Sequence, residues 1–191
     1  MGRKSPWGRI PQGRRTRNEV EWNKVIRYLA YTLELLVLFM LQETPGLLPP
    51  LFGARPVLLF PAVITIAMFE TEIPAPAFGV VGGLFCDFGL SGTLGFHALV
   101  LGVLCFFISL LVRVYLQSNI ATALLTGIVG IGLTVCLQWF FLYFFRYSHP
   151  SYAFTHHYLP KYLYTLLFLP LVYFLNRGLS QALRPQEESR L

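Results

Sequence analysis

The residues best suited to chemistry in this chain are Asp87 and His97, within GLFCDFGLSGTLGFHAL (83–99), and Glu34, within YTLELLVLF. A carboxylate and an imidazole in an apolar setting can form a proton relay, ligate a metal or close a turn. Ser91 lies between them, the nearest approach to a catalytic triad. All three fall on one hairpin, however, and nothing beside them supplies an oxyanion site. The hairpin reads best as structural: Asp87 closes one helix, His97 opens the next, and both stay hydrated near the outer interface. Glu34 sits mid-run, where a charge costs at least ~2.5–3.5 kcal/mol in lipid and so calls for a partner or a cavity. It reads as a coupling site, a polar anchor for a partner helix, or a hydrogen-bonded or protonated structural acid. Arg27, two turns earlier on the same face, is placed to snorkel toward water.

The remaining polar candidates carry less. Glu70 and Glu72 are two apart at a helix end before Pro74, so they share no face and read as a solvated turn. His149, His156 and His157 share a loop broken by Ser, Pro and Tyr. Metal ligands converge from fixed elements, so these histidines read as interfacial residues beside Tyr147, Tyr152 and Tyr158. Cys86, Cys105 and Cys136 are odd in number, lack CxxC spacing and lie in apolar runs. They read as small buried hydrophobes, without a disulfide framework or zinc site. No nucleophile elbow, phosphate loop or metal motif is present, so neither catalytic residues nor a cofactor is expected. Glycines are more telling. Gly79 and Gly83 form a GxxxG, Gly127, Gly130 and Gly132 crowd a later run, and Gly92 and Gly95 flank the hairpin break. Small residues at such spacing let helix backbones approach closely in lipid, within the chain by default or against another membrane protein.

The elements that must position these residues are membrane helices. Of 191 residues, 55% are hydrophobic and 13% charged, against about 25% charged in a soluble domain; mean hydropathy is +0.58. Six apolar segments are expected, at about 25–42, 56–70, 75–90, 95–117, 120–146 and 161–183. They form an all-α transmembrane domain over 25–183, between a basic tail (1–24) and a short C-terminal tail (184–191). Segments two and three are short enough to form one re-entrant hairpin, but two spans are cheaper because the Glu70/Glu72 turn then meets water. The first apolar run is too long for a signal core, and no small-x-small cleavage site follows it.

Charge sets the expected orientation. Eight of the 15 Lys and Arg lie in the first 27 residues. With the N-terminus inside, twelve positive residues face the cytoplasm, the eight plus Arg113, Arg177, Arg184 and Arg190. Three, Arg55, Arg146 and Lys161, face outward. Positive-inside bias then places both termini in the cytoplasm. The basic tail is a topology signal and a contact for anionic lipid, worth ~1 kcal/mol per residue, and no nucleic acid is implied.

Taken together, ARPVLLFPAVITIAMF and PAFGVVGGLFCDFGLSGTLGFHALVLGVLCFFISLLVR resemble the bacterial rod shape-determining MreD family. Arg55-Pro56, Gly82/Gly83, Asp87, Ser91-Gly92, Leu94-Gly95, His97 and Ala98 stand at that family's pattern positions, and the match covers roughly residues 54–116. The resemblance implies a non-enzymatic scaffold of the cell-elongation machinery in the bacterial plasma membrane. Its implied partners are an MreC-like protein and also MreB, RodA and a penicillin-binding transpeptidase. It also implies a fold like the substrate-binding subunits of energy-coupling-factor transporters. The alternative function is therefore a vitamin-binding membrane subunit, although such subunits dock through AxxxA faces and this chain has none.

Overall fold

A computed structural model of the chain describes residues 17–47, 49–50, 54–89, 95–115, 119–141, 155 and 158–183, with side chains from Trp22 onward. Residues 1–16 and 184–191 of the two tails, the 142–150 stretch with His149, and Ser91, Gly92, His156 and His157 lie outside the described residues; the expected basic tail is corrected over 17–24, which is helical. Among the described residues there are six α-helices: α1 Arg17–Glu43, α2 Leu59–Phe69, α3 Pro74–Gly89, α4 Phe96–Val114, α5 Ile120–Trp139 and α6 Leu159–Leu183. They sit where the six apolar segments are expected.

Length separates these helices into two groups. Four are long and apolar enough to cross a membrane: α1 over Trp22–Glu43, α4, α5 and α6. The expectation of six spans is not supported: among the described residues four helices meet this measure. With 11 and 16 residues, α2 and α3 reach ~16 and ~24 Å at 1.5 Å per residue, short of ~30 Å of hydrocarbon.

The second segment does not become helical at Pro56 because Arg55 to Val57 run non-helically into the bundle. A residue before proline is pushed out of the α region. The Val57 N–H donates instead to the Thr165 hydroxyl of α6 at 3.0 Å. Once the helix starts, all eleven residues of α2 are buried, with α1, α3, α4, α5 and α6 packed around it. Irregular backbone at membrane depth is tolerated where protein surrounds it, and α2 with its non-helical lead-in meets that condition.

The glycines resolve as internal packing. A Cβ on Gly79 would fall 2.6 Å from the Leu101 carbonyl oxygen and 3.0 Å from Gly102 Cα, and one on Gly83 would strike Ala98 backbone. The GxxxG face of α3 is thus spent against α4. Gly127 receives the Leu169 side chain, Gly130 abuts Ile64 and Leu104, and Gly132 lies against Tyr162. Gly95 caps α4 at φ +93, a left-handed conformation that glycine adopts without strain. Of the cysteines, Cys86 and Cys105 are buried but Cys136 is exposed on α5, a correction for that residue. All three are free thiols.

The helices alternate in direction. We call the end where α1 begins basal and the opposite end apical.

Candidate functional site

Polar side chains gather at three levels of the bundle. The apical level is built on Asp87, in the last turn of α3. Its carboxylate accepts from the backbone N–H groups of Gly95 (2.9 Å), His97 (3.1 Å) and Ala98 (3.3 Å). It also accepts from His97 Nδ1 at 2.7 Å. These amides open α4, where a helix leaves its first N–H groups without intrahelical partners. Asp87 therefore caps α4 from a neighbouring helix. An ionised carboxylate only accepts, which places a His97 ring proton on Nδ1. The ring stacks on Phe60 of α2, centroids 5.8 Å apart, and meets Phe96 edge-on at 5.3 Å.

Both residues are almost wholly enclosed, Asp87 3% and His97 1% exposed. The expected hydrated hairpin is corrected on this point: the pair stays buried because each side chain satisfies the other, not because water reaches it. Gln138 of α5 faces His97, and Lys161, in the first turn of α6, lies within electrostatic reach of His97 and Cys86. Both are buried.

The middle level joins three helices. Asn176 of α6 donates through Nδ2 to Glu34 Oε1 on α1 and to Thr65 Oγ1 on α2, both at 2.9 Å. Thr65 in turn donates to the Pro61 carbonyl at 2.7 Å. Of the readings open for Glu34, this geometry favours the hydrogen-bonded structural acid.

The basal level corrects two expectations. Arg27 does not snorkel: its Nε lies 2.7 Å from Glu70 Oε1, its Nη2 3.2 Å from Oε2, and both side chains are buried. The α2–α3 turn is accordingly not a solvated one at Glu70. Ser109 of α4 donates to the Glu70 carbonyl at 2.8 Å. Glu72 pairs with Arg113 at 2.7 Å in a more open position. The physical reason is mutual compensation: neither charge alone would enter the bundle, but a two-point Arg–carboxylate pair enters together.

No protein family, curated protein or solved structure matches this chain.

The structure brings Asp87 and His97 together and keeps Glu34 apart, at another depth. Among the described residues no three His, Cys, Asp or Glu side chains converge as a metal site would require. Sequence reading missed Gln138, Lys161, Asn176 and Thr65. A signal for two of them exists: Lys161, Thr165, Leu169, Val172, Asn176 and Ser180 recur at three- and four-residue steps and form the buried face of α6. Lys161 reads as an outward-facing charge because it stands at the edge of an apolar run.

One further feature lies on the outside of the bundle. Between α4 and α5 runs an apolar groove of about 500 Å³, walled by Val103, Phe107, Val129 and Leu133 and floored by Thr126 and Gly130. The Thr126 hydroxyl is engaged by its own helix, donating to the Thr122 carbonyl at 2.8 Å, so the groove presents hydrocarbon alone.

Proposed function

We propose that this chain is a non-enzymatic membrane scaffold of the bacterial cell-elongation machinery, of MreD type, holding an MreC-like partner. The observation that carries the reading is how the pattern residues are used. Gly83 packs on Ala98, Asp87 caps α4 and holds His97, and Gly82 lies against Val63 of α2. Gly82, Gly83, Asp87, His97 and Ala98 thus form one packed corner. Each is spent on fixing helices, which suits a part selected to hold a shape.

Under this reading the partner's single membrane helix seats a ridge of apolar side chains in the α4–α5 groove, as ridges pack into grooves between helices generally. The small-residue faces do not serve, because their glycines are occupied inside the bundle. The protein resides in the bacterial plasma membrane with both termini cytoplasmic, the orientation favoured by twelve positive residues against three. The basic tail contacts anionic lipid. MreB, RodA and a penicillin-binding transpeptidase join through the same assembly.

Co-expression with an MreC-like single-span protein tests the reading. Recovery of a stable complex from detergent, lost on Val129→Trp together with Val103→Trp, is the expected result. A chain that elutes alone while its wall-synthesis partners are present removes the scaffold reading. Tight retention of a vitamin on purification would instead favour the transporter subunit.

A further inference from the structure

The middle level of the bundle leaves two oxygen atoms without a donor. Among the described residues nothing donates to Glu34 Oε2 or to Asn176 Oδ1, and both atoms are buried. Asn176 is wholly enclosed. Both hydrogens of its Nδ2 are already given, one to Glu34 Oε1 and one to Thr65 Oγ1, each at 2.9 Å. The Thr65 hydroxyl gives its own hydrogen to the Pro61 carbonyl. The cluster has thus spent every donor it owns while two acceptors remain, and buried polar atoms in folded proteins rarely stay unpaired.

Charge points the same way. Glu34 stands near the middle of the spanning window Trp22–Glu43, and among the described residues no Lys, Arg or His pairs with it. Arg27, the cation nearest to it along α1, is held by Glu70. An ionised carboxylate at that depth would stand without a counter-charge. One proton resolves both difficulties. On Glu34 Oε2 it removes the charge, turns one waiting acceptor into a donor and supplies the other, on the same amide that already donates to Oε1. Turning the Asn176 amide over does not remove the need. Its oxygen would then take the place of Nδ2, 2.9 Å from Glu34 Oε1, and two oxygens at that distance hold a proton between them.

We propose that Glu34 and Asn176 form a proton-binding site at mid-depth: Glu34 is the neutral acid, its Oε2–H donates to Asn176 Oδ1, and the bound proton closes the seam between α1 and α6. The site uses no residue of the α4–α5 groove and stands independently of the scaffold reading.

Infrared spectroscopy tests it. The full chain is purified at neutral pH in a detergent without ester groups, and spectra are taken in water and in heavy water. An undissociated carboxyl group shows a carbonyl stretch clear of the amide bands, and that stretch moves down on deuteration. The expected result is such a band in the unaltered protein and its loss in Glu34→Gln. That variant keeps the unfolding midpoint, because a carboxamide offers Asn176 the same donor and acceptor. Asn176→Leu keeps the band but moves it up, since the acid then lacks its acceptor, a shift that a purely structural role for Asn176 would not produce. Absence of the band from the folded, unaltered protein overturns the proposal and leaves an ionised Glu34. A band of equal size in folded Glu34→Gln, which would belong to another carboxyl group, also overturns it.

Discussion

Asp87 and the Arg27–Glu70 pair are both buried ionic features, but they respond differently to substitution because their partners differ. Three of the donors to Asp87 are backbone amides, which cannot be removed by a compensating mutation. Asp87→Ala leaves these amides and the His97 ring without an acceptor. The loss should be about 2–3 kcal/mol, between a helix cap and several unsatisfied buried donors. Asp87→Asn keeps one acceptor oxygen and should lose less. Thermal unfolding in detergent orders the three proteins; an unchanged midpoint for Asp87→Ala would show that α4 needs no cap. Arg27 and Glu70, by contrast, are both side chains and can leave together. Arg27→Met alone strands a buried carboxylate, for a loss of about 3–5 kcal/mol. The double change Arg27→Met with Glu70→Leu should recover most of that loss, as paired replacement of a buried ion pair often does. A cycle of the two single and the double variants reads the coupling directly, and strict additivity would mean that the two charges do not interact.

At the level of elements, the α3–α4 pair depends on backbone contact that no side chain can relax. Gly83→Ala drives a methyl group into Ala98 backbone, so α3 must move off α4. Overpacking of this kind costs about 1–3 kcal/mol. Gly178 on α6 has nothing within 4 Å of a built Cβ, and Gly178→Ala should stabilise by about 0.5–1 kcal/mol through helix propensity alone. Opposite shifts in the unfolding midpoint are the expected outcome; a stabilising Gly83→Ala would place the helices further apart than described. The GxxxG and its helix were both legible in the sequence, as were the element order and the hairpin holding Asp87 and His97. What was not legible depended on contacts between distant segments. Glu70 reads as a turn charge until Arg27, 43 positions earlier, is brought against it. Asn176 reads as a stray polar residue near a helix end until α1 and α2 meet it from both sides. The start of α2 at Leu59 rather than Pro56 was hidden because it depends on Thr165, 108 positions away, taking the Val57 N–H.

Across the whole molecule, the shortest helix holds the central place. Every residue of α2 is buried, whereas only 28% of the spanning window of α1 is buried inside the bundle. Hydropathy does not set α2 apart, since that helix is at least as apolar as α4 and α5; its eleven residues are too few to face lipid across a membrane, and its surroundings are protein. Four long helices therefore form the wall, and α2, with α3 against it, fills the interior. The polar levels each tie a wall helix to this centre: Glu70 at the C-terminal end of α2 to α1 and α4, Thr65 to α6, Phe60 to the His97 ring of α4. Opening α2 to exchange thus requires breaking contacts with all five neighbours, while α1 can loosen along one face. Local opening follows the density of buried contacts, so the amides of Ile64 to Phe69 should exchange more slowly than those of α1 or α6 in detergent. Hydrogen exchange read by mass spectrometry decides it. Exchange of α2 at the rate of α1 would mean that the short helix is a passenger between the spans instead of the element on which they are assembled.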